Sequence, residues 1–278
     1  MKKIISLVLV LLMMGSVFAL AACGDKTIKI GVQAGRIAQN YINGDPDLDF
    51  DGLDGYEALG CQDGASAVAE MKNGNVKYVI IDKKAAEQLV SKTPGIKAIE
   101  IELTEEEYAF GVDPNQPELL GEINKILEEQ DTKIREIIKK YEKGEKITPI
   151  ESAQKDVTKA SKQLVVATNA TFAPFEYKVD DKFAGIDIEI MQLVADNLGL
   201  ELVIENMSFE DALSSVGKDY VDVVAAGVSV TDKRKEVVDF STSYYESSQV
   251  LLVLDSDTTF DECRTEKEIL TKLAELKK

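Results

Sequence analysis

Leu164-Val165-Val166-Ala167-Thr168 is the stretch that decides the fold, because this uncharged and mostly apolar run predicts a buried strand. Apolar residues then recur at helical spacing from residue 186 to residue 198, and Gly199 is well placed to end the helix. Further strands are predicted at 201–204 and 221–225. Strand, helix and strand in succession are typical of α/β folds with parallel sheets.

The first half of the chain repeats this pattern. A short strand at 28–32 leads into the glycine-bearing turn Gln33-Ala34-Gly35-Arg36, and a helix at 65–72 precedes a buried strand at 78–82. Another strand and two amphipathic helices are predicted at 108–112, 117–129 and 133–141. Residues 144–162 are rich in Lys, Ser and Thr and predict a linker. We therefore expect one doubly wound parallel sheet in each half, with ligands at the carboxyl ends of the strands.

Charge and composition exclude several classes of function. The 278 residues include 32 Lys and Arg against 50 Asp and Glu, which gives a net charge of −18. Such an acidic chain repels phosphate backbones, so no nucleic-acid partner is expected. The chain contains no His, which excludes Ser-His-Asp hydrolysis and His-ligated zinc.

The N-terminal residues predict export. Lys2 and Lys3 precede an uncharged apolar stretch at 4–22, and the stretch ends in Leu20-Ala21-Ala22-Cys23-Gly24. Residues 1–22 are interpreted as a signal peptide, although an uncleaved membrane helix is the alternative. The pattern around Cys23 resembles the bacterial lipobox, in which the thiol takes a diacylglycerol with acyl chains such as palmitate. We therefore expect an exported protein anchored in the membrane through this lipid.

Two further features leave alternatives open. Cys61 and Cys263 could pair as a disulfide or remain two isolated buried thiols. Asp47, Asp49 and Asp51, followed by Gly52, have the spacing that opens a calcium loop, but Ala58 stands where a bidentate Glu is expected. A structural calcium ion is therefore one interpretation, and an acidic surface loop is the other. No other cofactor is expected.

The candidate binding residues lie at predicted strand ends. Arg234 follows a buried strand and the Gly227 turn, and its guanidinium is either a clamp for a carboxylate or a solvated charge. Asp82 ends an apolar run, so its carboxylate either caps the following helix or faces a ligand ammonium. Phe172 and Phe209 either fill the core or form the wall of a pocket.

Residues 163–248 closely resemble the first lobe of the polar amino-acid binding proteins of ABC importers, a family of two-lobe, periplasmic-binding-protein-like (type II) folds that includes the glutamine-binding proteins. The resemblance is carried by 164–177, 185–190, 222–227, Ser229-Val230-Thr231-Asp232-Lys233-Arg234, 238–241 and 244–245. Residues 28–142 resemble the second lobe and tail of the same family. The resemblance implies two α/β lobes, each a sheet flanked by helices, with a cleft between them.

The order of the two lobes is reversed relative to the usual family member. Residues 265–278 resemble the segment that ordinarily leads into the strand at Ile28, so the chain resembles a circular permutant. We expect one lobe to comprise residues 107–251, with the linker at 144–162. The other lobe is expected to combine 26–106 with 252–278.

The resemblance also implies roles for individual residues. Arg234, with Ser229 and Gly227, would hold the ligand carboxylate, and Asp82 would hold the ammonium. Phe172 and Phe209 would enclose the ligand side chain, and Asn169 would lie near its polar end.

Two positions depart from the family pattern. Arg36 stands where the family usually has Ser or Thr, and it either meets an acidic side chain or points to solvent. Asn169 replaces a frequent Asp, which favours a neutral or acidic ligand over a cationic one.

The sequence thus predicts a monomeric, lipid-anchored receptor that binds a polar amino acid and delivers it to a membrane permease of an ABC importer. An enzyme on the same scaffold, similar to the dehydratases or lyases of this fold, is the alternative from another class, but it would need an acid–base pair beyond the ligand clamp. An amino-acid sensor module is the third interpretation.

Overall fold

The computed structural model describes residues 27–218 and 221–277. Its elements alternate between strands and helices, and they build two five-stranded sheets that are each flanked by helices, so the α/β class predicted from the sequence is confirmed. We call each of these sheets, with the elements packed around it, one half of the molecule. No helix among the described residues is both long and apolar enough to cross a membrane.

The first sheet has five strands and is built from both ends of the chain. Its strands, in chain order, are β1 Ile28–Gln33, β2 Tyr56–Cys61, β3 Tyr78–Asp82, β4 Ile96–Ile99 and, from far along the chain, β15 Gln249–Leu254. They lie in the order β2-β1-β3-β15-β4. Flanking helices are α1 Ile37–Asn43, α2 Gly64–Lys72, α3 Lys83–Lys92 and α9 Glu266–Leu276.

Strand β3 shows why this sheet is buried on both sides. Tyr78 and Ile80 belong to the cluster that contains Ile269 and Leu273 of α9, whereas Val79 and Ile81 pack in the cluster on the opposite face. Since successive side chains of a strand point to opposite faces, an uninterrupted apolar run is what a sheet covered on both faces requires.

The second sheet lies in the other half. Its order is β11-β7-β12-β6-β13, with β6 Gly111–Val112, β7 Gln163–Thr168, β11 Glu201–Asn206, β12 Val223–Val224 and β13 Asp239–Phe240. A smaller antiparallel sheet is formed by β8 Thr171–Phe172, β9 Glu176–Val179 and β10 Lys182–Ala184. The helices of this half are α4 Pro117–Glu129, α5 Asp131–Glu142, α6 Ile186–Leu198, α7 Phe209–Ser215 and α8 Asp232–Lys235.

The prediction of purely parallel sheets is wrong. β1, β2 and β3 run parallel, but β15 is antiparallel to both of its neighbours, and β6 is antiparallel to β12 and β13. β6 and β15 each lie next to a place where the chain passes between the halves. They therefore enter their sheets without the helical crossover that joins parallel neighbours.

Two adjacent strands connect the halves. The strand predicted at 108–112 is in fact two strands, β5 Glu106–Tyr108 and β6, separated by Ala109-Phe110. β5 pairs antiparallel with β14 Tyr245–Ser247, and we call this pair the connecting ribbon. Because β14 leads directly into β15, the boundary predicted between residues 251 and 252 falls inside a strand of the first sheet.

The predicted linker runs along the second half. Ile150 exchanges two backbone hydrogen bonds with Phe183, of 2.7 and 2.8 Å, and the N–H of Ala153 donates to the carbonyl of Leu202 at 2.9 Å. A 3-10 helix, Val157–Lys162, then leads into β7.

Candidate binding cleft

Strand ends supply most of the polar groups that meet between the two halves. β1 ends in a turn where Gly35 has φ +77°, a left-handed conformation that favours glycine, and Arg36 is the N-cap residue that precedes α1. β3 ends at Asp82, and β7 is followed by Asn169. The carboxyl ends of strands from both sheets therefore face one cleft.

Arg36 lies in this cleft and is only 6% exposed. Its guanidinium carbon lies 3.9 Å from the ring centre of Phe172 and 4.2 Å from that of Phe209. Its Nη1 donates to the carbonyls of Ala226, at 2.5 Å, and Gly227, at 3.2 Å. Its Nη2 donates to Oε1 of Glu176 at 3.1 Å. Of the two alternatives left open by the sequence, Arg36 therefore meets an acidic side chain, and that side chain belongs to the chain itself.

Two buried carboxyl groups lie near this guanidinium. Glu176 and Asp187 are both 0% exposed. Burial raises the pKa of Glu176 well above its usual range, and the nearby Asp187 carboxyl group adds to this effect. The Arg36 cation lowers the pKa of Glu176 and so offsets part of the rise. Burial also raises the pKa of Asp187 to about 6, although its oxygens accept hydrogen bonds from the N–H of Gly227 and the hydroxyl of Tyr244.

Arg234 bridges the two halves from the opposite direction. Its Nη1 donates to the carbonyl of Ser229 at 2.8 Å, and its Nη2 donates to the carbonyl of Gly35 at 3.1 Å. Burial, followed by repulsion from Arg36, lowers its pKa to about 10, so it remains a cation at neutral pH.

Asp82 caps a helix and also faces the cleft. Its Oδ1 accepts the backbone N–H groups of Lys84, at 2.9 Å, and Ala85, at 3.1 Å, which caps α3. Its Oδ2 accepts the hydroxyls of Tyr108, at 2.7 Å, and Ser247. Burial raises the pKa of Asp82, and these four hydrogen bonds oppose the shift.

Gln33 and Glu106 are among the cleft residues that the sequence did not predict. Nε2 of Gln33 donates to Oδ1 of Asn169 at 2.9 Å, which ties the end of β1 to the end of β7. Oε2 of Glu106 accepts the Ser229 hydroxyl at 2.6 Å. The position of Gln33 at the start of the glycine turn could have indicated its role, whereas nothing distinguishes Glu106 from Glu105 and Glu107 beside it.

A small cavity lies at the centre of the cleft. It has a volume of about 10 Å³, and the residues that line it include Asp82, Tyr108 and Ser229. Within the part of the chain that the structure describes, three of its lining residues have a buried polar atom without a hydrogen-bond partner: Oε1 of Gln33, Nε of Arg36 and Oε1 of Gln249. A volume of this size is about that of one water molecule, so no amino acid fits while the cleft is closed in this way.

A larger groove adjoins the cavity. It measures about 850 Å³ and shares Ile37, Glu106 and Ser229 with the cavity lining. Glutamates dominate the charged residues along it: Glu102, Glu105, Glu107 and Glu246. The groove therefore presents a mostly negative entrance to the cleft.

The remaining sequence predictions concern features outside the cleft. Cys61 and Cys263 are both free, buried thiols, so no disulfide joins them. Asp47 and Asp49 lie at a 3-10 turn capped by the Asp45 side chain, and Asp51 follows. No group of three or more acidic or Cys side chains among residues 27–218 and 221–277 could hold a metal ion, and the calcium site stays an untested prediction. Cys23 and the signal peptide lie outside the described residues.

The raised pKa of Asp187 predicts a pH dependence of stability. The folded protein binds a proton here up to about pH 6, whereas the unfolded chain loses it near the ordinary value of 3.8. The free energy of unfolding should therefore fall by about 3 kcal/mol as the pH rises from about 4 to about 6. Asp187→Asn should remove this part of the slope in urea titrations at several pH values.

Asp239→Asn, at an exposed position on β13, is the matched control and should keep the slope of the wild type. The same slope in Asp187→Asn as in the wild type would contradict the assignment of this titration to Asp187.

Comparison with known proteins identifies a family for part of the chain. Residues 164–277 match the model of the bacterial extracellular solute-binding proteins, family 3. The arginine-binding extracellular protein ArtP of Bacillus subtilis is 31% identical over 106 residues, which are 38% of this chain and 42% of that protein. The match thus spans about two fifths of this curated relative.

Two further similarities each cover about a third of the chain. A cyclohexadienyl dehydratase of Pseudomonas aeruginosa is 28% identical over 95 residues, which are 34% of this chain and 35% of the enzyme. A solved structure of a truncated, arginine-bound ArgBP from T. maritima is 34% identical, with a TM-score of 0.30, and the match covers 31% of this chain and 42% of that one. The resemblance read from the motifs is confirmed for residues 164–277 by their match to the model of the bacterial extracellular solute-binding proteins, family 3.

Proposed function

We propose that this protein is a receptor that binds a polar amino acid in the cleft between its halves and delivers it to the permease of an ABC importer. One observation carries the proposal: Arg234 reaches the Gly35 carbonyl of the other half, and Asp82 lines a cavity between the halves in which three residues have unpartnered buried polar atoms. A free amino acid carries one cation and one anion on neighbouring atoms, and this arrangement supplies a group for each.

The chemistry of the cleft fits an α-amino acid. The guanidinium of Arg234 can exchange its hydrogen bonds to the Ser229 and Gly35 carbonyls for two parallel bonds to a carboxylate. Oδ2 of Asp82 and the free amide oxygens of Gln33 and Gln249 are acceptors for an ammonium group. The ligand would thereby replace contacts that now hold the closed cleft.

Binding requires the halves to move apart. The cavity of about 10 Å³ is far too small for an amino acid, so the ligand has to enter an open form and be enclosed afterwards. The connecting ribbon is the natural hinge, because both chain crossings lie in it.

The ligand is proposed to be neutral or acidic. Asn169 has no charge for a ligand cation, and Arg36 adds a second guanidinium beside Arg234. The glutamates along the entrance groove repel anions, and this makes a neutral ligand the better fit of the two.

Binding is favoured over catalysis because the oxygens of the buried carboxyl groups at the cavity already accept hydrogen bonds. Glu176 and Asp187 have raised pKa values but do not line the cavity, whereas Asp82 and Glu106 have raised pKa values and do line it. Both oxygens of Asp82 and both oxygens of Glu106 already accept hydrogen bonds from the protein. Both oxygens of Asp187 already accept hydrogen bonds from Gly227 and Tyr244. The relation to a dehydratase is therefore interpreted as a shared scaffold.

The two lobes are proposed to follow the reversed order of a circular permutant, with residues 106–248 in one lobe and residues 27–105 with 249–277 in the other. Two contacts support this division. The N–H of Ile28 donates to the Gly55 carbonyl at 3.0 Å, and Nζ of Lys277 lies 2.5 Å from Oδ2 of Asp54. The end of α9 thus lies beside the start of β1, as it would if the two had once been continuous.

We predict that Arg234→Ala weakens binding of the cognate amino acid by roughly thirtyfold to several thousandfold. The ligand carboxylate would be enclosed without its cation, which typically costs about 2–5 kcal/mol. Titration calorimetry against a panel of amino acids measures the effect. Arg234 is a sharper test than Asp82, because Asp82→Ala also removes the cap of α3.

The matched control for this variant is Arg135→Ala. Arg135 lies on α5 with 69% of its side chain exposed and pairs with Asp131, so its loss should leave the affinity unchanged. An affinity within about threefold of the wild type in folded Arg234→Ala would refute the clamp.

A chain with the usual lobe order tests the permutation. Residues 145–278 followed by a short Gly-Ser linker and residues 27–144 should fold to the same thermal midpoint within a few degrees and bind the same amino acid, because the cut at exposed Gly144 breaks no element. A control chain cut within α6 should not fold. Failure of the first chain to fold would count against the permutant.

The proposed lipid anchor has its own test. Cys23→Ser should move the protein from the membrane fraction to the medium or periplasm, because the acylated thiol is lost. Detergent phase partitioning of the wild type and the variant measures this. Equal partitioning of the two into the aqueous phase would exclude lipidation.

A further inference from the structure

The environment of Arg36 is a complete cation-binding box. The rings of Phe172 and Phe209 lie near its guanidinium at 3.9 and 4.2 Å, and Glu176, Ala226 and Gly227 accept hydrogen bonds from its nitrogens. We call the five residues Phe172, Glu176, Phe209, Ala226 and Gly227 the guanidinium box. All five come from the half that contains the second sheet, whereas Arg36 comes from the half that contains the first sheet.

The box has the chemistry that selects a guanidinium from solution. Aromatic faces stabilise a cation by cation–π attraction, and a planar guanidinium can stack on them while its edges donate hydrogen bonds. Glu176 supplies a buried acceptor, and its Oε2 has no hydrogen-bond partner in the described part of the chain. A free cationic side chain would find the same contacts here that Arg36 now makes.

We infer that Arg36 is a specificity-determining residue that excludes cationic amino acids by occupying the guanidinium box itself. The inference rests on the proposed function, because it assumes that an amino acid binds in this cleft. When the halves separate, Arg36 leaves the box with its own half, and when they close, it returns. A ligand with a cationic side chain has to compete with this tethered group, whose local concentration is high.

A neutral ligand does not face this competition. Its charged α-groups bind at Arg234 and Asp82, and a short neutral side chain needs none of the acceptors of the box. Two cations enclosed together would also repel one another: burial lowers the pKa of Arg234, and repulsion from Arg36 lowers it further.

Arg36→Ser empties the box, restores a hydroxyl at this position and leaves Glu176 and Asp187 without the cation beside them. The variant should bind arginine at least about thirtyfold more tightly than the wild type does in titration calorimetry, and the wild type should bind neutral amino acids more tightly than arginine. Arg36→Lys should keep the exclusion, because a lysine cation can also enter the box.

Two controls separate the box from a general effect. Arg135→Ser removes an exposed arginine of α5 and should leave arginine binding as weak as in the wild type. Adding Glu176→Gln to Arg36→Ser should abolish most of the gained binding, because the buried acceptor charge is lost.

The outcomes are distinguishable from those of the proposed function. Arginine binding by the wild type as tight as by Arg36→Ser, or a folded Arg36→Ser that gains none, would overturn the role of Arg36 and leave the receptor function intact. Absence of binding to any neutral or acidic amino acid would instead refute the receptor function. Should Arg36→Ser not fold alone, refolding in the presence of arginine should recover it, and failure of arginine to do so would also overturn the inference.

Discussion

The buried contact between Arg36 and Glu176 is the interaction on which the closed form depends. It joins the turn after β1 to β9, and 140 residues separate the two partners along the chain. Removing a charge from water costs several kcal/mol unless a partner and further hydrogen bonds compensate. Two carbonyls and two aromatic rings provide that compensation. One half thus supplies the cation, and the other supplies the carboxylate, the carbonyls and the rings that surround it.

A second arginine, Arg234, also joins the two halves across the polar cleft. Arg36 extends from the half with the first sheet into the other half, whereas Arg234 belongs to the half with the second sheet and donates to the Gly35 carbonyl of the first. These are hydrogen bonds between the halves that a ligand could take over.

Much of the fold follows from local sequence. The run at 78–82 is apolar because both faces of its sheet are covered, and the helix Ile186–Leu198 ends at Gly199, which adopts φ +69° as a helix-terminating glycine does. The direction of β15 could not be read locally, because it depends on the route by which the chain returns from the other half. The break at Ala109-Phe110 has the same origin, since an apolar run gives no sign that its residues divide between two sheets.

The site was predictable in part and for a similar reason. Arg234 and Asp82 stand directly after apolar strands or their turns, so their place at a sheet edge follows from sequence. The partner of Arg36 could not be predicted from the sequence, because Glu176 lies far away in the chain and nothing in its local sequence distinguishes it from a surface glutamate. Glu106 was hidden within three consecutive glutamates, and only the fold shows which of them meets Ser229.

The connecting ribbon has a consequence for how the two halves come apart. β5 and β14 run side by side with three residue pairs in register, so the polypeptide passes between the halves twice at nearly the same place. A protease that cuts one crossing leaves the halves tethered by the other. Limited digestion would release an intact half only after both strands had been cleaved.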